Sequence, residues 1–357
     1  DDNGDVCFYT SRDTALIIDI NGVSDTGITS FPNQRTDTRT APGTLPSGGI
    51  TVDDVPVWPP YVPRPALDGT AALTGLPADP GVTSRPIIAV KIDNYRRARP
   101  QWSLDQADAV IEQNVEGVSR FVALFHTRMP TVVGPVRSAR TSDLDLLAAM
   151  NRPIFAFSGA NDGVNAWLDA AASSGVLVDF SAQRRPCYQR STEKPGPHNL
   201  LLDPACAAAE VDAGPAAALW RIDEGWHPAP SLPRTPDSAF PVRMDGVDIE
   251  WTWDQAARRY LRSQDGEPHL STSGSRVAAH NVVVLATAHV PSPVDARSPN
   301  PITTGTGAAV LHRDGLAIDV TWSRTTPYDP FTFIEPRTGL EVPLDVGTTF
   351  IELVRAS

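Results

Sequence analysis

Cysteine is scarce in this chain. Three occur in 357 residues, and no two are spaced C-x-x-C. That spacing is what a thiolate metal site or a thiol redox motif uses, so neither is favoured. Long apolar runs are missing too, with none near the ~18 residues that a membrane-spanning helix needs. Basic residues are outnumbered, 30 Lys and Arg against 42 Asp and Glu, for a net charge of −12. A phosphate backbone requires a basic face, so nucleic acid is excluded as a partner. The histidines show no H-E-x-x-H spacing, and His126, His227, His269, His280, His289 and His312 read as structural. Phe157-Ser158-Gly159-Ala160-Asn161 is not a nucleophile elbow. Gly305-Thr306-Gly307 has neither the lysine nor the following helix of a phosphate loop. No metal or cofactor is expected.

Proline is abundant, at 34 residues, where ~5% is usual. Length and an apolar fraction of 41% call for two or more packed domains. Cys187 and Cys206 flank Pro195–Pro197 and would close a loop of about 19 residues, worth roughly 3 kcal/mol in the chain-entropy model. Such a disulfide implies an oxidising, extracytoplasmic setting. Cys7 has no evident partner. The chain opens at Asp1 and reads as a mature or truncated fragment whose export signal lies upstream.

Four segments follow from the patterning. Residues 1–40 contain two strands, Val6–Thr10 and Ala15–Ile20, too few to bury a core. Residues 41–84, rich in Pro, Gly and small polar residues, read as a semi-rigid linker. Residues 85–240 alternate strands with helices. Strands are expected at Ile87–Ile92, Val110–Val115, Phe121–His126 and Ile154–Phe157, and helices at Ser103–Ala107, Thr141–Met150, around Asn165–Leu168 and at Pro204–Val211. Ser142 and Asp145 supply an S-x-x-D helix start. Residues 241–357 are strand-rich, with a hairpin turn at Asp314-Gly315. The fold class is α+β, a mixed α/β sheet domain followed by a strand-rich C-terminal domain.

Charged residues stand most densely among apolar ones between 87 and 140. Arg137, Ser138 and Arg140 precede a helix whose first N–H groups are free, so they could hold a carboxylate or phosphate. The competing and favoured reading pairs the arginines with Asp93, Glu112 or Glu116, because partly buried arginines usually have carboxylate partners. Asp93 and Glu116 are candidates for an acid/base pair. Sequence distance does not bring them together, and Asp93-Asn94 also suits a strand-ending turn. His198-Asn199, in a loop with Tyr188 and Arg190, is a candidate proton carrier or ligand contact and equally a solvated loop histidine.

Several stretches resemble the YerB-like family of bacterial exported proteins or lipoproteins, domain of unknown function 3048. They are Leu73-Thr74-Gly75-Leu76, VKIDNYRRARPQ (90–101), ADAVIEQNVEGVSRF (107–121), GPVRSAR (134–140), PHNL (197–200), NVVV (281–284) and TGTGAAVLHRDG (304–315). Residues 1–40 resemble the end of a repeat on actinobacterial surface proteins. The family resemblance implies a mixed α/β fold and a place for the site, without a mechanism. The leading expectation is a non-enzymatic secreted or envelope module that binds an anionic polymer, peptide or partner protein. Its contacts would be Asn94, Arg99, Gln101, Arg120, Arg137, Ser138, Arg140, His198 and Asn199. The alternative is a hydrolase or lyase on envelope polymers using Asp93 and Glu116, with His198 as a third candidate.

Overall fold

Apolar runs bounded by Gly, Pro and Asp fold here almost entirely into strands. The computed structural model describes residues 55–229 and 231–356. The two strands expected at 1–40, the surface-repeat resemblance there, and Cys7 lie outside the described residues. In chain order come α1 (Pro80–Thr83), β1 (Ile88–Asp93), β2 (Ala109–Val115), β3 (Val118–Phe125), α2 (Thr141–Ala148), β4 (Ile154–Phe157), α3 (Asp162–Ser173), β5 (Val178–Ser181) and α4 (Pro204–Glu210). Glu116 and Gly117, with φ of 51° and 83°, turn β2 into β3 as a two-residue hairpin demands. Asp314-Gly315 does the same between Gly305–Arg313 and Leu316–Arg324, with φ of 52° and 72°.

These strands join one mixed, eleven-stranded sheet. Its order runs Thr332–Ile334, Leu316–Arg324, Gly305–Arg313, Asn281–Thr287, Thr349–Arg355, β2, β3, β1, β4, β5, with the short Thr235–Pro236 strand pairing on Leu316–Arg324 as the eleventh. The strand Thr349–Arg355 lies parallel to both of its neighbours, Asn281–Thr287 and β2. Residues from before and after position 240 therefore share a continuous sheet. A second, five-stranded antiparallel sheet built around Ala239–Met244, Val247–Asp254 and Arg259–Gln264 covers part of one face. The helices α2 and α3 cover the other. Two hydrophobic clusters follow, one on each face: Ala89, Ile111, Val122 and Leu124 on the helix side, and Val90, Val110, Phe121 and Trp251 on the other.

Three local expectations change. Helix α2 starts at Thr141 as expected, but its N-cap is Arg140 rather than Ser142, the Arg140 N–H donating to Asp143 Oδ2 at 2.8 Å. Asp143 rather than Asp145 faces the helix start because Lys91 anchors its other oxygen. At 103–107 only a short 3-10 turn forms, Leu104–Gln106, and Ser103 has left-handed φ with no capping bond. The Pro-rich stretch, where described, is no free spacer. Trp58 is buried edge-on to Tyr328, and Tyr61 bonds Ser174 O through its N–H and Asn151 Oδ1 through its hydroxyl. Large aromatic surfaces are stabilised by burial, and these two hold the segment against the body.

Candidate functional site

The sequences of β1 (IAVKID), β2 (AVIEQNV) and β3 (VSRFVALF) are apolar at one end and polar at the other. β1 and β2 each run antiparallel to β3, so all three polar ends meet at one edge of the sheet. Successive side chains point to opposite faces. Lys91, Asp93, Gln113 and Arg120 thus fall on the helix side, and Glu112, Asn114 and Ser119 on the side of the second sheet. Two charged networks result, separated by one layer of backbone.

On the helix side, Lys91 Nζ and Gln113 Nε2 each donate to Asp143 Oδ1 at 2.6 Å. Full burial pulls the Lys91 ammonium down to about 8, only partly offset by Asp143. Arg120 Nη1 donates to Ser138 O at 3.0 Å. Asp93 is the hub of the neighbouring cluster. His198 Nδ1 hydrogen-bonds its Oδ2 at 2.7 Å, Arg137 Nε lies 3.1 Å from that oxygen, and the Tyr95 N–H donates to Oδ1 at 2.9 Å. Tyr95 stacks on the His198 ring, centroids 5.4 Å apart. Burial opposes ionisation of Asp93, but the His198 bond and the Arg137 and Arg120 charges outweigh it and hold the carboxyl below its ordinary range.

Across the sheet, Arg262 Nη2 donates to Glu112 Oε2 at 2.6 Å and its Nε lies 3.9 Å from Glu352 Oε1, all three side chains fully buried. Trp251 Nε1 donates to Glu352 Oε1 at 2.9 Å. Burial and the charge of Glu112 drive the Glu352 carboxyl well above its ordinary value. Asn94 Nδ2 donates to Glu112, Ser119 and Gln264, while Gln101 receives a bond from His269 Nε2 on Oε1. Burial keeps His269 well below the ordinary imidazole range, so the ring is neutral.

Asp93 and His198 are brought together, as are Asn94 and Gln101 nearby. Asp93 and Glu116 are not. Both Asp93 and Gln113 pair with Arg120, and Glu116 lies three residues further along, about 10 Å by strand rise. Glu116 instead pairs with Arg140, Oε1 to Nη2 at 3.2 Å. The pairing reading of the arginines thus holds at Asp93–Arg137 and Glu116–Arg140. Glu112 takes its guanidinium from Arg262, 150 residues away. Arg99 pairs with Asp265 at 2.8 Å, and Asn199 closes its own loop by accepting from Arg190 and donating to Ser191 O. Cys187 and Cys206 form a disulfide.

Ser138 and Arg140 border a depression of about 270 Å³, opposite Asn161 and Arg297 and flanked by Glu116 and Asp295. Asn161 caps α3, its side chain accepting from Val164 N–H. Arg297 is 90% exposed through its side chain and reaches Asp295 only at 4.0 Å. Lys91, Asp143, Arg262, Glu352 and Arg297 were not legible as site residues. For Lys91 the signal was a lysine inside an otherwise apolar strand. Nothing local marks Arg297.

Comparison with known proteins places these residues in context. The family model described as "Protein of unknown function (DUF3048) N-terminal domain" matches residues 73–216, and the corresponding C-terminal domain model matches residues 240–351. "Putative lipoprotein YerB" of Bacillus subtilis (strain 168) is 29% identical over 307 residues, 82% of this chain and 88% of that relative. The crystal structure of YerB protein from Bacillus subtilis superimposes with a TM-score of 0.65 at 25% identity, covering 80% of this chain and 97% of that one. The α+β architecture expected from the sequence agrees with that likeness. No helix among the described residues is long and apolar enough to cross a membrane.

Proposed function

The chain belongs to the DUF3048 family, and from that premise we propose that it is a non-enzymatic, extracytoplasmic binding module for an anionic envelope ligand. The relative named as a lipoprotein favours an envelope location, and so does the Cys187–Cys206 disulfide. The ligand is a carboxylate- or phosphate-bearing polymer, peptide or partner protein, and it docks at the depression between Ser138, Arg140 and Arg297. The observation that carries this reading is Arg297. Its guanidinium is solvated, set beside a pocket, and only loosely engaged by Asp295. Arg120 and Arg137, by contrast, are buried and act through the fold.

A hydrolase built on Asp93 and Glu116 has less support. Asp93 is occupied by His198, Arg137 and the Tyr95 N–H, and Glu116 sits elsewhere with Arg140. Arg297→Ala is the direct test, because that side chain supports nothing buried. Pull-down of purified wall polymer by the variant should fall about tenfold with an unchanged melting temperature, and wild-type binding should weaken with added salt. Retention of wild-type capture by Arg297→Ala would remove the proposed site.

A further inference from the structure

A second groove lies away from that depression, where the two halves of the chain meet. It measures about 490 Å³, within the range of small-ligand sites. One wall comes from Arg96, Arg99 and Pro100, just past the end of β1, and the other from Gln264 to Leu270. Pro100, Pro268 and Leu270 make it largely apolar, and Leu270 is 38% exposed.

The floor holds a side-chain amide whose nitrogen faces the groove. Gln264 is only 2% exposed. Its Oε1 accepts from Asn94 Nδ2 at 3.0 Å and from Arg262 Nη1 at 2.7 Å, which fixes the orientation of the carboxamide. Its Nε2 has no acceptor among the described residues and is reached by solvent from the groove. Gln264 lines the groove.

Charge narrows the class of ligand. Arg99 is neutralised by Asp265 at the rim, Glu267 and Arg96 both line the groove, and burial keeps His269 uncharged. The groove therefore presents balanced charge around an apolar interior with one strong donor. A free carboxylate would meet Asp265 and Glu267, and a free amine would meet Arg96 and Arg99. We infer that this groove is a second ligand site, taking a short uncharged peptide segment whose carbonyl accepts from Gln264 Nε2 and whose apolar side chain packs on Pro100, Pro268 and Leu270.

The probe is N-acetyl-leucine amide, titrated into the whole chain while amide signals are followed by NMR. The Gln264 side-chain amide pair should shift saturably, together with backbone signals of residues 96–100 and 264–270. N-acetyl-leucine and leucine amide, each carrying one charge, should bind at least fivefold more weakly. Gln264→Met should abolish the response. Because Gln264 also supports buried partners, Leu270→Ser serves as the fold-safe variant and should weaken binding about fivefold with unchanged melting. Arg297→Ala should leave this titration untouched, which separates the site from the anion depression. No saturable shift with N-acetyl-leucine amide, a preference for the charged probes, or full binding by Leu270→Ser would each overturn the inference.

Discussion

Arg262 is fully buried and reaches two carboxylates, Glu112 and Glu352, with its guanidinium carbon 5.5 Å from the Phe121 and Phe350 ring centroids. One guanidinium cannot neutralise two buried anions, so the favoured state keeps a proton on Glu352. Removing the cation leaves Glu112 charged and unpaired, and Arg262→Ala should cost about 3–5 kcal/mol in chemical denaturation. The linkage sign is definite. Glu352 holds its proton to a higher pH folded than unfolded, so folding binds a proton across the interval that begins at its ordinary value of 4.5. Stability from this residue is complete below that pH and declines as pH rises. Glu352→Gln keeps the acceptor for Trp251 and removes the titration. Its stability should match the wild type near pH 4.5 and exceed it at pH 8. Parallel curves for the two proteins across that span would refute the assignment. Asp93 has the opposite sign. Its lowered carboxyl stabilises the fold above 3.8 and loses that contribution as pH falls.

Turns and helix starts are where sequence reading succeeded and failed at the level of elements. Asp314-Gly315 was legible because left-handed φ selects those residues. Gly315 also has Trp253 Nε1 2.8 Å from where a Cβ would stand. Gly315→Ala therefore meets both strain and a clash, and should cost about 1–3 kcal/mol in thermal unfolding. The start of α2 at Thr141 was legible, but its cap was not, because the contact that fixes Asp143, Lys91 to Asp143, spans 52 residues. The aperiodic stretch around 179–199 was legible as a stapled loop through its cysteines. Its short pairing of Tyr188–Arg190 with Leu200–Leu202 was not, since three-residue strands carry no period.

For the whole molecule, the expected division near residue 240 left out the sheet. Thr349–Arg355 pairs with β2 on one side and Asn281–Thr287 on the other, and Glu112 meets Arg262 across the same junction. A fragment of residues 73–240 would expose the β2 edge and bury Glu112 without its cation. It should give a collapsed NMR spectrum and bind hydrophobic dyes, whereas residues 55–357 should give a dispersed one. The family and the α+β class were readable from GPVRSAR and the KIDN block. Long-range charge pairing was not, because a carboxylate on one strand says nothing of which distant guanidinium will face it.

The placement of Thr349–Arg355 at the centre of the sheet also has a consequence in time. Synthesis delivers a chain from its N-terminal side, and β2 emerges well over two hundred residues before the strand that completes it. Until residue 355 is out, the sheet has an open edge and the first half stays unfinished. Such a chain folds late and as one unit.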